Sequence, residues 1–203
     1  MPYPLALLPP RRCHQHPARP WLLCLLLPLL LAGCGDAGQP DADRAQALLE
    51  VAGNGDLSAL DTLLRRRTDT DVRDSCDWTP LMKAALNGHT AAAARLLAAG
   101  AAVDAEDKGG YTALMLAASN NHAELLDLLL EHGAMIDAKE RTQGFTALIW
   151  AAQRGQHDAV ASLLRQGADR SLPDHTGQTA RDHAEAEGHA AIAALLAAPD
   201  PDG

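Results

Sequence analysis

Residues 79–89 read TPLMKAALNGH, and three later stretches repeat the pattern: TALMLAASNNH at 112–122, TALIWAAQRGQ at 146–156 and TARDHAEAEGH at 179–189. The opening threonines, Thr79, Thr112, Thr146 and Thr179, recur at a near-constant step, with the middle step longer by a single position. Each stretch is followed by a leucine pair, at Leu96-Leu97, Leu129-Leu130, Leu163-Leu164 and Leu195-Leu196. A glycine or a breaker comes next, at Gly100, Gly133, Gly167 and Pro199. A fixed period of this length describes stacked units, each of which buries its apolar face only against its neighbours. Arrays of this kind usually bind other macromolecules rather than catalyse.

The residue types explain how each unit folds. A threonine hydroxyl can cap a helix, and Pro80 suits the first helical turn because its missing N–H had no partner there in any case. The Ala-Ala pairs let two helices approach closely, and the leucine pairs bury against the adjoining unit. Gly88, Gly155 and Gly188 permit a positive φ between helices, with Asn121 as the next-best residue at the same place. The chain is rich in Ala and Leu and has 3% aromatic residues, a balance that favours helices over strands. Gly55 lies one full period before Gly88 and marks a more divergent first unit that starts near Asp43. The extra residue between Thr112 and Thr146 falls in 139–144, a turn where an insertion costs little.

Together Asp77-Trp78-Thr79-Pro80-Leu81, Ala84-Ala85, Gly88-His89, Leu96-Leu97 and Gly100-Ala101 resemble the ankyrin repeat. That resemblance implies an all-α, ankyrin-repeat solenoid of about five helix-turn-helix units with short β-turn hairpins. The units lie near 43–76, 77–109, 110–143, 144–176 and 177–199, with a tail at 200–203. Met82, Met115, Ile149 and Asp182 replace the family's histidine, so packing must substitute for a hydrogen bond between neighbouring turns. In the last unit Arg181, Asp182, Glu185 and Glu187 give the polar face that an uncovered end requires.

The N-terminal stretch 1–33 differs from the rest. Arg11, Arg12 and Arg19 precede an apolar run from Leu22 to Leu31, broken by Pro28, and no acidic residue is present. A basic segment followed by a short apolar core is the pattern of a secretory signal, and about ten residues are too few to span a membrane. Leu31-Ala32-Gly33-Cys34 resembles the lipobox of bacterial lipoproteins, which implies lipidation of Cys34, a signal peptide at 1–33 and a lipidated tether at 34–42. Gly35, in place of an aspartate, favours the outer membrane over the inner, with the array facing the periplasm. The chain has a net charge of −9, which becomes −12 once residues 1–33 are removed. Such a surface repels phosphate backbones and excludes nucleic acid as a partner; Arg65-Arg66-Arg67 reads as a solvated helix end. With Cys13 and Cys24 removed and Cys34 lipidated, Cys76 is expected to have no intramolecular mate.

Three aromatic residues, Trp78, Tyr111 and Phe145, immediately precede a capping threonine, and Gln178 takes that place in the last unit. The resemblance places this row on the partner-binding side, flanked by Leu86, Asn87, Asn120, Gln153 and Arg154. Large side chains in a row on a rigid rod suit an interface; the alternative is that they pack against the adjacent turn. Trp150 sits deeper in its helix, as partial core. His89, His122 and His189 recur at one repeat position, which marks them as repeat residues rather than metal ligands. His122-Ala123-Glu124 and His157-Asp158 diverge around a helix and do not converge on a substrate. No phosphate loop or nucleophile elbow occurs. The expectation is a non-enzyme without cofactor or small-molecule substrate, bound to an unidentified protein. Periplasmic ankyrin proteins that resemble this chain imply support of catalase and peroxide resistance; immunity to a secreted toxin and an envelope scaffold are the alternatives.

Overall fold

Four threonine hydroxyls start four helices. In a computed structural model, which describes residues 40–66 and 68–198, Thr79, Thr112, Thr146 and Thr179 each have an extended backbone. Each accepts the N–H three residues on, at 3.3–3.4 Å, which satisfies one of the donors a helix start leaves open. Thr179 adds a reciprocal bond from its own N–H to Asp182, closing a capping box. Asp182, which breaks the family pattern, therefore holds the last unit's first helix.

Ten helices follow among the described residues: α1 (Pro40–Asn54), α2 (Leu57–Arg65), α3 (Pro80–Leu86), α4 (Thr90–Ala98), α5 (Ala113–Ser119), α6 (Ala123–Glu131), α7 (Ala147–Gln153), α8 (His157–Arg165), α9 (Ala180–Ala186) and α10 (Ala190–Ala197). The odd-numbered helices pack side by side as an inner layer, and the even-numbered ones form an outer layer behind them. No strand occurs among the described residues. The chain between units instead makes tight turns, closed by pairs such as Asp107 N–H to Tyr111 O at 3.0 Å. Helix α1 begins at Pro40, ahead of the boundary near Asp43 that the period leads one to expect.

The leucine pairs divide their labour. Leu96, Leu129 and Leu163 are fully buried, with Leu196 close behind, while Leu130, Leu164 and Leu195 are half-buried against the core. Each fully buried leucine contributes about 1.5–3 kcal/mol. The inner helices are thin because Ala84-Ala85, Ala117-Ala118 and Ala151-Ala152 are almost wholly enclosed. The expected polar face is present on α9 and its cap, where Arg181, Asp182, Glu185 and Glu187 are exposed. Its partner α10 ends the array with exposed alanines at 190, 191, 194 and 197.

Successive units are joined by a ring laid on bare backbone. His89, His122 and His189 bond through Nε2 to the carbonyls of Gly53, Leu86 and Gln153 in the preceding unit, at 3.1–3.2 Å. The rings rest on Gly55, Gly88 and Gly155, where an added Cβ would lie 2.6–2.7 Å from the imidazole. Asn121 holds the same turn with φ 61° but carries a side chain. The next unit accordingly has Gln156 instead of histidine, and its amide reaches Ser119 O at 3.0 Å. Asn121 Oδ1 in turn accepts the Ala159 N–H at 3.0 Å and supports the start of α8, which no capping side chain of its own satisfies.

This pairing predicts a measurable coupling. Gln156→His should destabilise the protein by about 1–2 kcal/mol through overpacking against the Asn121 side chain. Adding Asn121→Gly should recover part of that loss, with a coupling of at least about 0.5 kcal/mol in urea unfolding. Strict additivity would contradict the steric account.

Candidate binding surface

A carboxylate sits inside each inter-unit turn. Asp74 Oδ1 accepts the N–H groups of Cys76 and Trp78, and Asp107 Oδ1 those of Gly109 and Tyr111. Asp174 Oδ1 accepts those of Thr176 and Gln178. The third turn contains the inserted residue, and there the longer Glu140 does the work. It is fully buried and accepts from Thr142, Gln143 and Phe145. One extra methylene thus spans one extra residue of turn. Adjacent turns are linked by Arg141 N–H to Gly109 O at 2.9 Å and His175 N–H to Gln143 O at 2.8 Å. These cages hold the residues that precede the capping threonines in fixed positions on the inner side.

The row expected from the sequence splits in two. Trp78 is half-buried, donates its indole N–H to Asp107 Oδ2 at 3.0 Å and lies under the Lys83 ammonium, 4.7 Å from the ring centroid. Lys83 also pairs with Asp74 at 2.8 Å. Tyr111, half-buried, leans on Trp150 at 5.6 Å. Phe145 does not belong to the surface. It is 2% exposed, enclosed by Trp150 at 5.0 Å and by His183 of the next unit at 4.8 Å. Its neighbours on both sides are large rings, so the turn presses it inward. Trp150, 3% exposed, is core as expected, and Arg154 lies over its ring at 5.6 Å.

The flanking residues also separate. Asn87 is exposed and ties α3 to α1 through Gly53 O at 2.8 Å. Asn120 is half-buried and bonds back to Leu116 O at 2.8 Å. Leu86 and Gln153 are half-buried, and Arg154 is exposed. Between α1 and α3 the inner side opens into a recess of about 260 Å³ lined in part by Gln46, Glu50, Lys83 and Asn87. Lys83 was not among the residues expected on the surface. It occupies the fourth residue after the capping threonine, a column that runs Lys83, Leu116, Trp150, His183. Comparing that column across units is the signal that finds it.

Two further residues bear on the expectations. Cys76 lies half-buried in its turn and donates its N–H to Asp74 Oδ1 at 2.8 Å. The cysteines on which its pairing depends, Cys13, Cys24 and Cys34, lie outside the described residues. Cys34 itself, the signal segment and most of the tether lie outside the described residues. Among the described residues no group of His, Cys, Asp and Glu is arranged to hold a metal, and no helix is long and apolar enough to cross a membrane.

The repeat geometry agrees with a family comparison, in which residues 48–140 and 135–202 match the family described as ankyrin repeats (3 copies). The chain belongs to the ankyrin-repeat family. Ankyrin arrays serve protein–protein binding, and the caged turns and inner helices give this one a preformed face for it. Similar curated proteins include the NAD-capped RNA hydrolase NUDT12 of Macaca fascicularis, Pongo abelii and Homo sapiens, each 46% identical over 54 residues. The match covers 27% of this chain and spans only 12% of each hydrolase.

Asp174 gives the cages a pH signature. Burial opposes its charge, but bonds from Thr176, Gln178 and His183 prevail and hold its carboxyl well below the usual range. A value lowered by folding means a contribution complete above the unfolded value of 3.8 and lost as pH falls through the folded value. Asp174→Asn should therefore cost about 1–2 kcal/mol at pH 7, and the gap to wild type in urea unfolding should narrow below pH ~4. A gap that widens in acid would contradict this assignment.

Proposed function

We propose that this chain is a lipid-anchored protein of the bacterial envelope that captures a protein partner on the inner face of its array, on the periplasmic side. The observation that carries the anchor is Leu31-Ala32-Gly33-Cys34, placed where the apolar run ends. Each buried methylene of an acyl chain adds about 0.8 kcal/mol, so two or three chains hold a protein at a bilayer where one is marginal. Five residues separate Cys34 from the start of α1 at Pro40. At no more than ~3.5 Å each they reach roughly 17 Å, which confines the array to a membrane-proximal layer.

Capture rests on preorganisation. Trp78 and Tyr111 present half-buried rings from turns already fixed by Asp74 and Asp107. Little ordering free energy is then spent when a partner docks. Support of a catalase or other periplasmic oxidoreductase is the finer form of this reading, and it derives from the resemblance stated above. Unchanged peroxide killing and catalase activity in a deletion strain would remove that finer form.

Two outcomes test the proposal. Cys34→Ala should move the protein from the membrane pellet to the soluble periplasmic fraction after a high-salt wash; retention in the pellet would refute the anchor. In crosslinking pull-downs from membranes, a Trp78→Ser/Tyr111→Ser variant with unchanged thermal unfolding should lose the partner that wild type captures. Equal capture would move the interface off the inner face.

A further inference from the structure

Two donors, one on α7 and one at its cap, have no side-chain or backbone acceptor among the described residues. The indole N–H of Trp150 is the buried side-chain polar atom without a hydrogen-bond partner among the described residues. Trp78 shows the contrast, since its indole is satisfied by Asp107. No carboxylate is spare near Trp150: Glu140 is taken up by its own turn, and Asp174 by its turn and His183. A buried donor left unpaired weakens the fold, so its retention calls for a reason.

Arg154 is the second donor. It is exposed, four residues after Trp150, and its guanidinium lies over the indole. Lys83, Arg95, Arg141, Arg165 and Arg181 pair with carboxylates of the chain, and Arg73, Lys108 and Lys139 with backbone carbonyls. Arg154 meets no carboxylate within salt-bridge distance among the described residues and has the Trp150 ring as its contact. Glu187 occupies the equivalent cap position one unit further on, and Asn120 the one before. An anionic guest is repelled on the α9 side and admitted on the α5 side, where Tyr111 leans on the same indole.

We infer that Trp150 and Arg154, beside Tyr111, receive a carboxylate side chain from an acidic segment of the partner protein, which fixes the partner's register on the inner face. This rests on the inner-face reading above and names the chemistry of what that face takes. The guanidinium pairs with the carboxylate, as planar cations do best. As Arg154 swings from the ring to make that pair, an oxygen of the same guest reaches the indole N–H. The carboxylate then lies beside the half-buried Tyr111 ring and the buried indole, whose apolar faces strengthen a charge-assisted bond.

The test is selection of a displayed random twelve-residue peptide library on the full chain, with the selected peptides then measured on variants. Peptides that need the inner face, identified by loss of binding to Trp78→Ser/Tyr111→Ser, should be enriched in Asp and Glu. They should bind Arg154→Gln and Trp150→Phe about 10-fold more weakly, because bonds to a charged group are lost, and should weaken as salt rises. The Trp150 indole proton should shift on saturation in ¹H–¹⁵N spectra. Inner-face peptides without acidic enrichment, or indifferent to Arg154→Gln, would overturn the carboxylate site and leave the inner-face reading standing. Peptides indifferent to every inner-face variant, or none selected at all, would overturn both. A nuclear Overhauser contact from the indole proton to a long-lived water in the free protein would show that water is its acceptor, and the carboxylate site would fall.

Discussion

An imidazole ring lying on bare backbone sets the spacing of this array. His89, His122 and His189 reach back to a carbonyl of the preceding unit, and each can do so only because a glycine leaves room beneath the ring. The contact fixes distance and rotation between neighbouring units with one hydrogen bond and one steric limit. Where Asn121 removes the room, Gln156 replaces the ring and still finds a carbonyl, that of Ser119. Covalent neighbours in a unit and contact neighbours across units are therefore chosen together, which is how the repeat stays in register from the first unit to the last.

A second system, independent of the first, fixes the turns. Asp74, Asp107, Glu140 and Asp174 convert flexible connections into closed cages, each built from backbone N–H groups that would otherwise face water. The outer layer adds links of its own, such as Ser162 Oγ–H to Asp127 at 2.5 Å between α8 and α6. Since each unit contacts chiefly its neighbours, stability is close to a sum of local and nearest-neighbour contributions. A turn held this way keeps the half-buried rings of Trp78 and Tyr111 in fixed positions at the inner side.

Much of this was legible in the chain. The threonine column announced the helix starts, the leucine pairs the buried stripe, and Gly55, Gly88 and Gly155 the turns between helices, because each of these roles is local and each residue type has one dominant reason to recur. Roles that depend on a neighbour were hidden. The turn carboxylates were missed because Glu140 breaks the aspartate column where the insertion breaks the period. Phe145 looked equivalent to Trp78 and Tyr111, yet its burial is decided by Trp150 and His183, residues that are ordinary in their own positions. The link between Asn121 and Gln156 spans two units and leaves no trace within either. Of the expected surface, Asn87 and Arg154 are exposed, Trp78, Leu86, Tyr111, Asn120 and Gln153 are half-buried, and Phe145 is buried.

If a stiff, preformed inner face receives the partner, the outer layer stays uninvolved, and amide hydrogen exchange of the protein, free and in the complex recovered from membranes, shows it. Added protection is expected in the turns at 74–78 and 107–111 and in α3, α5 and α7, with α4, α6 and α8 unchanged. Protection gained chiefly on the even-numbered helices, or inner turns already exchanging freely in the uncomplexed protein, would contradict it.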